Sequence, residues 1–349
     1  MIRTKVLGLG SYVPDRVVKN EEIAFLDDKH VRQETQQSET SDEWIQRRTG
    51  IQERRYVTEG TATSDLALQA AKRALADANM EPQDIDCIIL GTLSPDIHFP
   101  GTAVFLQKKL GIERATCPCF DIRQQCSGFV YGLQMADAFI RTGMYKRILL
   151  VGAEVHSHSL DYSTRGRDVM ILFGDGAGAM ILGPGDNDDP KSGVVYTSAH
   201  ADGSGAMDLY LKIFEISKAP YIDYNARDRE ENIIKYPQMD GKRVFLNAVR
   251  GMVMSTQTAL AKTGMTWDDI QWFVPHQANL RINEKVVEVA KIPPEKVLNS
   301  IQFYGNTTAA TVPLTIDHWR QEGRVKKGDR ILSSVFGAGY TWGAAIFTL

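Results

Sequence analysis

The sequence predicts an α/β protein made of two similar halves, and three observations carry that prediction. The first is a duplication. Ala74-Leu75-Ala76, Met80, Asp84-Ile85 and Ile88-Ile89 recur as Ala259-Leu260-Ala261, Met265, Asp269-Ile270 and Phe273-Val274, every pair 185 residues apart. Second, each copy reads as an amphipathic helix, an acidic turn and a buried strand, an alternation that implies parallel sheets with helices on both faces. Third, a thiol, an imidazole and a carboxamide (Cys126, His276 and Asn306) each end a strand-like run.

The elements follow in order. The opening run Arg3-Thr4-Lys5-Val6-Leu7-Gly8 reads as a strand, and the first copy's helix, turn and strand come next. Phe120-Asp121-Ile122 is a short β-like run that turns into a helix near Cys126-Ser127-Gly128. Phe129, Val130, Leu133, Ala136 and Ile140 stand at helical spacing, and Ile148-Leu149-Leu150-Val151-Gly152 follows as a strand. The second copy repeats this with a helix over 312–324 and a strand over 328–335. Residues 186–235 read as a polar connection, carrying Asp186-Asn187-Asp188-Asp189 and Arg227-Asp228-Arg229-Glu230-Glu231. The expected divisions are therefore 1–185, 186–235 and 236–349. In this scheme Cys126 and Asn306 occupy corresponding strand-to-helix turns, while His276 ends a strand of the second copy. A pseudo-twofold then gathers all three at the carboxyl ends of strands, where open α/β sheets place ligands.

The bulk numbers bound the function. The 349 residues are 43% hydrophobic and 24% charged, ample for a buried core. A net charge of -3 and a pI near 6.2 give no global attraction to nucleic acid or to an anionic membrane. No stretch has the apolar length to span a bilayer, and the start runs straight into a strand without a secretory h-region, so a cytoplasmic location is expected. Four cysteines are too few for a disulfide framework. Cys117-Pro118-Cys119 lacks the second pair that zinc spacing requires, so no metal is expected, and Cys87, Cys117 and Cys119 read as buried thiols.

Cys126 precedes a helix, whose unpaired N–H groups and dipole favour a thiolate. A nucleophile on a sharp turn also projects its sulfur outward and has an N–H beside it for a tetrahedral oxyanion. The setting favours this over a structural thiol. His276 follows the strand Trp272-Phe273-Val274-Pro275 and precedes polar Gln277 and Asn279; its position suits a site residue and a satisfied core histidine equally. Asn306 follows Gly305, where turn chemistry alone would account for both residues. Phe336-Gly337-Ala338-Gly339-Tyr340 is a glycine-rich turn without Walker or dinucleotide spacing.

At these residues the chain resembles the β-ketoacyl-acyl carrier protein synthase III family. The segments are Gly8-Leu9-Gly10-Ser11-Tyr12-Val13-Pro14, Thr40-Ser41-Asp42-Glu43-Trp44-Ile45, Arg48-Thr49-Gly50-Ile51, Phe173-Gly174-Asp175-Gly176, Pro275-His276-Gln277-Ala278-Asn279, Gly305-Asn306-Thr307 and Phe336-Gly337-Ala338-Gly339. The resemblance implies a thiolase-like fold: two duplicated halves with mixed five-stranded sheets, and helices in α-β-α-β-α layers. It implies an acyl-CoA primer, transfer of its acyl group to Cys126, and decarboxylative condensation with malonyl-acyl carrier protein, at the start of fatty acid biosynthesis. His276 and Asn306 would hold the extender's thioester carbonyl, and the N–H groups of Cys126 and Ala338 the oxyanion. Trp44, Arg48 and Arg167 would take coenzyme A, Phe173 and Phe99 the acyl chain, with Phe99 lent across a homodimer. Asn279 would support His276; Arg250, Arg281 and Lys285 would meet the carrier protein. No cofactor is bound permanently, coenzyme A entering as a substrate thioester.

Residues 26–40 are longer than the family's usual link, and Arg123-Gln124-Gln125 replaces small residues before the nucleophile. Leu93 and His156 differ from the short-primer type, which points to a different primer. A degradative thiolase needs a late second cysteine, which this sequence lacks; elongating synthases need a second histidine where Asn306 stands. A condensing enzyme or acyltransferase using another acceptor (a second acyl-CoA, an alcohol or an amine) stays open. The order Cys126, His276, Asn306 also fits a papain-like hydrolase, but the local signature of that class is absent.

Overall fold

A computed structural model describes residues 2–112, 116–185, 192–227 and 235–349. The charged runs at 186–189 and 228–231 lie outside the described residues. The first sheet has five strands: β1 (Arg3–Tyr12), β4 (Cys87–Gly91), β5 (Cys119–Ile122), β6 (Ile148–Glu154) and β7 (Gly176–Gly185), ordered β1-β7-β6-β4-β5. The second is ordered β11-β12-β13-β8 and comprises β8 (Val194–Ala201), β11 (Trp272–Pro275), β12 (Arg330–Gly337) and β13 (Thr341–Thr348). Two short ribbons stand apart: β2 (Arg16–Lys19) with β3 (Glu53–Tyr56), and β9 (Leu209–Tyr210) with β10 (Gln238–Met239).

Both sheets are mixed, which corrects the parallel arrangement that alternation alone implies. β4, β5 and β6 run parallel, as do β11 and β12, whereas β1 and β7, β6 and β7, β12 and β13, and β13 and β8 pair antiparallel. The short link between β12 and β13 permits only the antiparallel pairing. Among the described residues the second sheet has four strands rather than five. Where Cys119 pairs with Ile88 in the first half, Val297 makes a single bridge to Phe273. Val194–Ala201, in the stretch read as a connection, is the edge strand of the second sheet, paired antiparallel with β13.

The layers follow from where each apolar face is buried. Phe129, Leu133 and Ile140 of the helix Gly128–Arg141 and Val312 and Ile316 of Thr311–Gln321 lie between the sheets, against Ile89 and Leu150 on one side and Val274 and Val335 on the other. The alternate residues Ile88 and Leu149 face the outer helix Thr63–Ala78 through Ala67, Ala70 and Ala74. Leu332 and Ile346 likewise meet Ala248, Met252 and Ala259 of Gly241–Thr263. Period-2 strands thus serve two helix layers at once. The duplication is visible in detail: the short turns Pro82–Asp84 and Trp267–Asp269 each lead into a parallel strand, β4 inside the first sheet and β11 at the edge of the second. Among the described residues, no helix is long and apolar enough to cross a membrane.

Candidate active site

Cys126 lies in the tight turn Gln125–Ser127 between β5 and the helix Gly128–Arg141. Gln125 takes φ 44°, rare for a residue with a side chain, and this turns the chain sharply before the thiol. The second half repeats the device at Thr308–Ala310, where Thr308 takes φ 43°, and the two turns pack together between the sheets. The counterpart of Cys126 is therefore Ala309; Asn306 precedes that turn rather than occupying the matching position. Gly337, at the end of β12, closes on the thiol's backbone: a Cβ there would come within 3.1 Å of the Cys126 nitrogen. The thiol is 7% exposed. Burial, with the nearby Glu154 second, pushes its pKa up to about 12, while a hydrogen bond from Asn306 acts in the opposite direction. The expected helix-end effect does not prevail; burial does, and the resting group is a thiol.

His276 continues β11, its N–H bonded to Ser334 O at 2.9 Å. Its Nδ1 meets Thr311 Oγ1 at 2.8 Å, and Nε2 is buried with no partner among the described residues. Burial drives its pKa down to about 3, so the ring is neutral. Asn306 is fixed from both sides. Its N–H bonds Leu172 O at 2.7 Å, and its Oδ1 accepts from Thr308 N at 2.8 Å, which leaves the amide NH2 for the cleft. Gly305 before it has φ 62° and ψ -157°, and a Cβ there would stand 2.8 Å from Leu172 O, so only glycine fits. A cleft of about 640 Å³ is lined by Cys126, His276, Asn306, Phe173 and Ala338. The three residues therefore share one cavity, although Asn306 follows the short helix Ile301–Tyr304 and not a strand as its sequence setting suggested.

Glu154, at the end of β6, is fully buried behind the thiol. It accepts from Ser94 Oγ at 2.7 Å, Thr92 Oγ1 at 3.1 Å and the N–H groups of Leu93 and Ser94 at 3.2 Å. Burial outweighs these bonds and raises its pKa to about 7. His156 stands 4.0 Å from it, neutral through burial, with its ring 4.6 Å from that of Phe173.

Arg48 also lines the cleft. Trp44 lies between two guanidinium groups, Arg48 at 4.8 Å and Arg167 at 5.1 Å from its ring centre. Ser41 caps the helix Asp42–Thr49 that carries Trp44 and Arg48, accepting from Trp44 N. The longer 26–40 segment reaches this place, because Arg167 Nη1 bonds Glu39 O at 2.9 Å.

Four other expected residues sit differently. Asn279 does not hold His276; its Oδ1 caps the helix Leu280–Ala290, accepting from Arg281 N at 2.9 Å, and Thr311 takes the imidazole instead. Arg281 is occupied with Gln46 O and Arg47 O at 3.0 Å and Glu284 at 2.9 Å, and Lys285 pairs with Glu288 at 2.8 Å. These bonds reduce what either offers an acidic partner, whereas Arg250 is exposed. Phe99 is 77% exposed and does not line the cleft of its own chain. Among the described residues, no three His, Cys, Asp or Glu side chains gather as a metal site requires.

Sequence reading missed Thr308, Thr311 and Glu154. The signals were present: a run of small and hydroxyl residues after Asn306, and an acid ending an apolar strand.

Comparison with known proteins gives consistent results. The family model described as 3-Oxoacyl-[acyl-carrier-protein (ACP)] synthase III matches residues 120–203, and that of its C terminal region matches 260–349. The chain is 42% identical over 347 residues to the β-ketoacyl-[acyl-carrier-protein] synthase III of a Bradyrhizobium species, covering 99% of this chain and 98% of that one. It is similar to the crystal structure of 3-oxoacyl-[acyl-carrier-protein] synthase III from Aquifex aeolicus, with TM-score 0.83, 38% identity, and 99% and 100% of the two chains covered. The Pseudomonas aeruginosa structure of that name gives TM-score 0.84 at 34% identity, over 99% and 98%.

Proposed function

The chain belongs to the 3-oxoacyl-[acyl-carrier-protein] synthase III family, and we infer from that premise that it is a condensing acyltransferase of fatty acid biosynthesis. A primer acyl-CoA enters along Trp44, Arg48 and Arg167, which take the nucleotide. The Cys126 sulfur attacks the thioester carbonyl carbon, and the N–H groups of Cys126 and Ala338 hold the oxyanion. The carbon–sulfur bond to coenzyme A breaks, and coenzyme A leaves with the thiol's proton. Malonyl-acyl carrier protein follows. Its thioester carbonyl accepts hydrogen bonds from His276 Nε2 and the Asn306 amide while the carboxylate leaves as carbon dioxide. The enolate carbon attacks the acyl-Cys126 carbonyl and expels the thiolate, giving a β-ketoacyl thioester two carbons longer.

The observation that carries this reading is the pairing of a buried thiol with a neutral imidazole whose Nε2 is unpartnered, both lining one cleft. Neutral donors suit an enolate, since nothing must be protonated in advance. The acyl chain runs past Phe173 and His156, which set primer choice with Leu93. The carrier protein docks by Arg250, with smaller parts for Arg281 and Lys285. The enzyme acts in the cytoplasm as a homodimer that buries Phe99 and neighbouring Ile97, both exposed in the single chain. Residues 1–185 carry the nucleophile and 236–349 its two donors, while 186–235 contributes the edge strand Val194–Ala201 to the second sheet.

The test is intact-protein mass spectrometry with acyl-CoAs of graded length. One acyl increment is expected, absent in Cys126→Ala and discharged by malonyl-acyl carrier protein. Acylation without discharge would point to another acceptor, and no acylation by any primer would overturn the mechanism.

A further inference from the structure

The donors assigned to decarboxylation are both held by one strained turn. Thr308 N donates to Asn306 Oδ1 at 2.8 Å, fixing which end of the carboxamide faces the cleft. Three residues on, Thr311 Oγ1 lies 2.8 Å from His276 Nδ1 and 2.9 Å from Thr308 O. Thr308, Thr311 and His276 are each at most 2% exposed, so water does not compete for these bonds. The Thr311 hydroxyl has one proton and two acceptors in reach. Thr308 O does not depend on it, because it already accepts the backbone N–H of Thr311. The orientation matters for Nε2. When the hydroxyl donates to Nδ1, the neutral ring carries its proton on Nε2, the nitrogen that is buried without a partner. When it donates to Thr308 O, Nδ1 keeps the proton and Nε2 offers only a lone pair.

We propose that Thr311 is a positioning residue for decarboxylation: its hydroxyl donates to His276 Nδ1 and so presents Nε2–H to the extender's thioester carbonyl. This rests on the role given to His276 above. Asn306 and His276 are then oriented by the backbone and side chains of a single turn, Thr308–Thr311, and the strained φ of Thr308 is what brings its N–H and carbonyl to bear on both.

Thr311→Val keeps the shape and removes the hydroxyl, and Thr311→Ser restores it. Two rates are measured on each variant: acylation of Cys126 by acyl-CoA, and release of carbon dioxide from malonyl-acyl carrier protein. Thr311→Val is expected to slow decarboxylation about 100-fold, the scale of losing one aligned donor, and to lower it at least about ten-fold more than acylation. Thr311→Ser is expected to recover most of the rate. Decarboxylation unchanged in Thr311→Val, an equal fall in both rates, or equal impairment in Val and Ser variants of normal thermal stability would each overturn the proposal. His276→Ala serves as the control: undiminished decarboxylation there would remove the role of His276 itself, whereas its loss beside an unaffected Thr311→Val would remove only that of Thr311.

Discussion

Glu154 makes a quantitative prediction. Its carboxyl is fully buried, and its pKa is raised from 4.5 to about 7, chiefly by desolvation. An acid with a raised folded-state pKa binds a proton more tightly in the native protein than in the unfolded chain. Its contribution is fully present below about pH 4.5 and is lost as pH rises through about 7. At about 1.4 kcal/mol per pH unit, the loss is about 3 kcal/mol. Glu154→Gln retains an acceptor for Leu93 N and Ser94 N and cannot ionise. The assay is urea denaturation followed by tryptophan fluorescence at a fixed protein concentration, near pH 5 and near pH 8.5, on both proteins. Wild type should lose about 3 kcal/mol more than the variant between these two conditions, other groups cancelling in the comparison. A difference below about 0.5 kcal/mol would refute the reasoning, as would one of opposite sign, since the hydrogen bonds from Thr308, Ser94, Leu93 and Thr92 would then have outweighed desolvation. The same substitution bears on the nucleophile. Glu154 is the second cause raising the Cys126 thiol, so Glu154→Gln should quicken alkylation of Cys126 by iodoacetamide near pH 8.

Three further outcomes are expected. Gly305→Ala should cost about 1–3 kcal/mol in denaturant and impair condensation beyond that, since the backbone at Leu172 O must move to admit a Cβ. Trp44→Ala should raise KM for acyl-CoA about ten-fold while leaving an acyl-pantetheine thioester unaffected, and equal effects on both would remove Trp44 from nucleotide binding. Arg281→Ala should lower stability by about 1 kcal/mol, because it bonds Gln46 O and Arg47 O at the end of the helix Asp42–Thr49; unchanged stability would leave a carrier contact as its main role.

Much of the fold was legible because burial writes itself into period. The continuous apolar runs of β4 and β11, and the 185-residue repeat around them, mark buried strands and outer helices without any knowledge of pairing. What period does not record is direction. The antiparallel β7 and β13 look no different in sequence from parallel strands, and β8, which packs against both Gly128–Arg141 and Gly241–Thr263, lay in a stretch read as a polar connection. Nor does period show that the second sheet keeps only a single bridge, Phe273 to Val297, where the first has its fifth strand.

The candidate site divides in the same way. The sequence by itself picked out the candidate side chains, a thiol, an imidazole and a carboxamide, because a turn's residues are chosen locally. It also marked Gly305, whose backbone no other residue adopts. Tertiary structure decided everything that depends on a partner distant in the chain. Thr311, not Asn279, holds His276; Glu154 raises the Cys126 thiol; Arg281 is bound to a helix end. Desolvation decided the protonation states, pushing the thiol up and the imidazole down, because the two halves close over groups that either half alone would leave in water. Local pattern names the reactive groups, and only their enclosure sets what those groups can do.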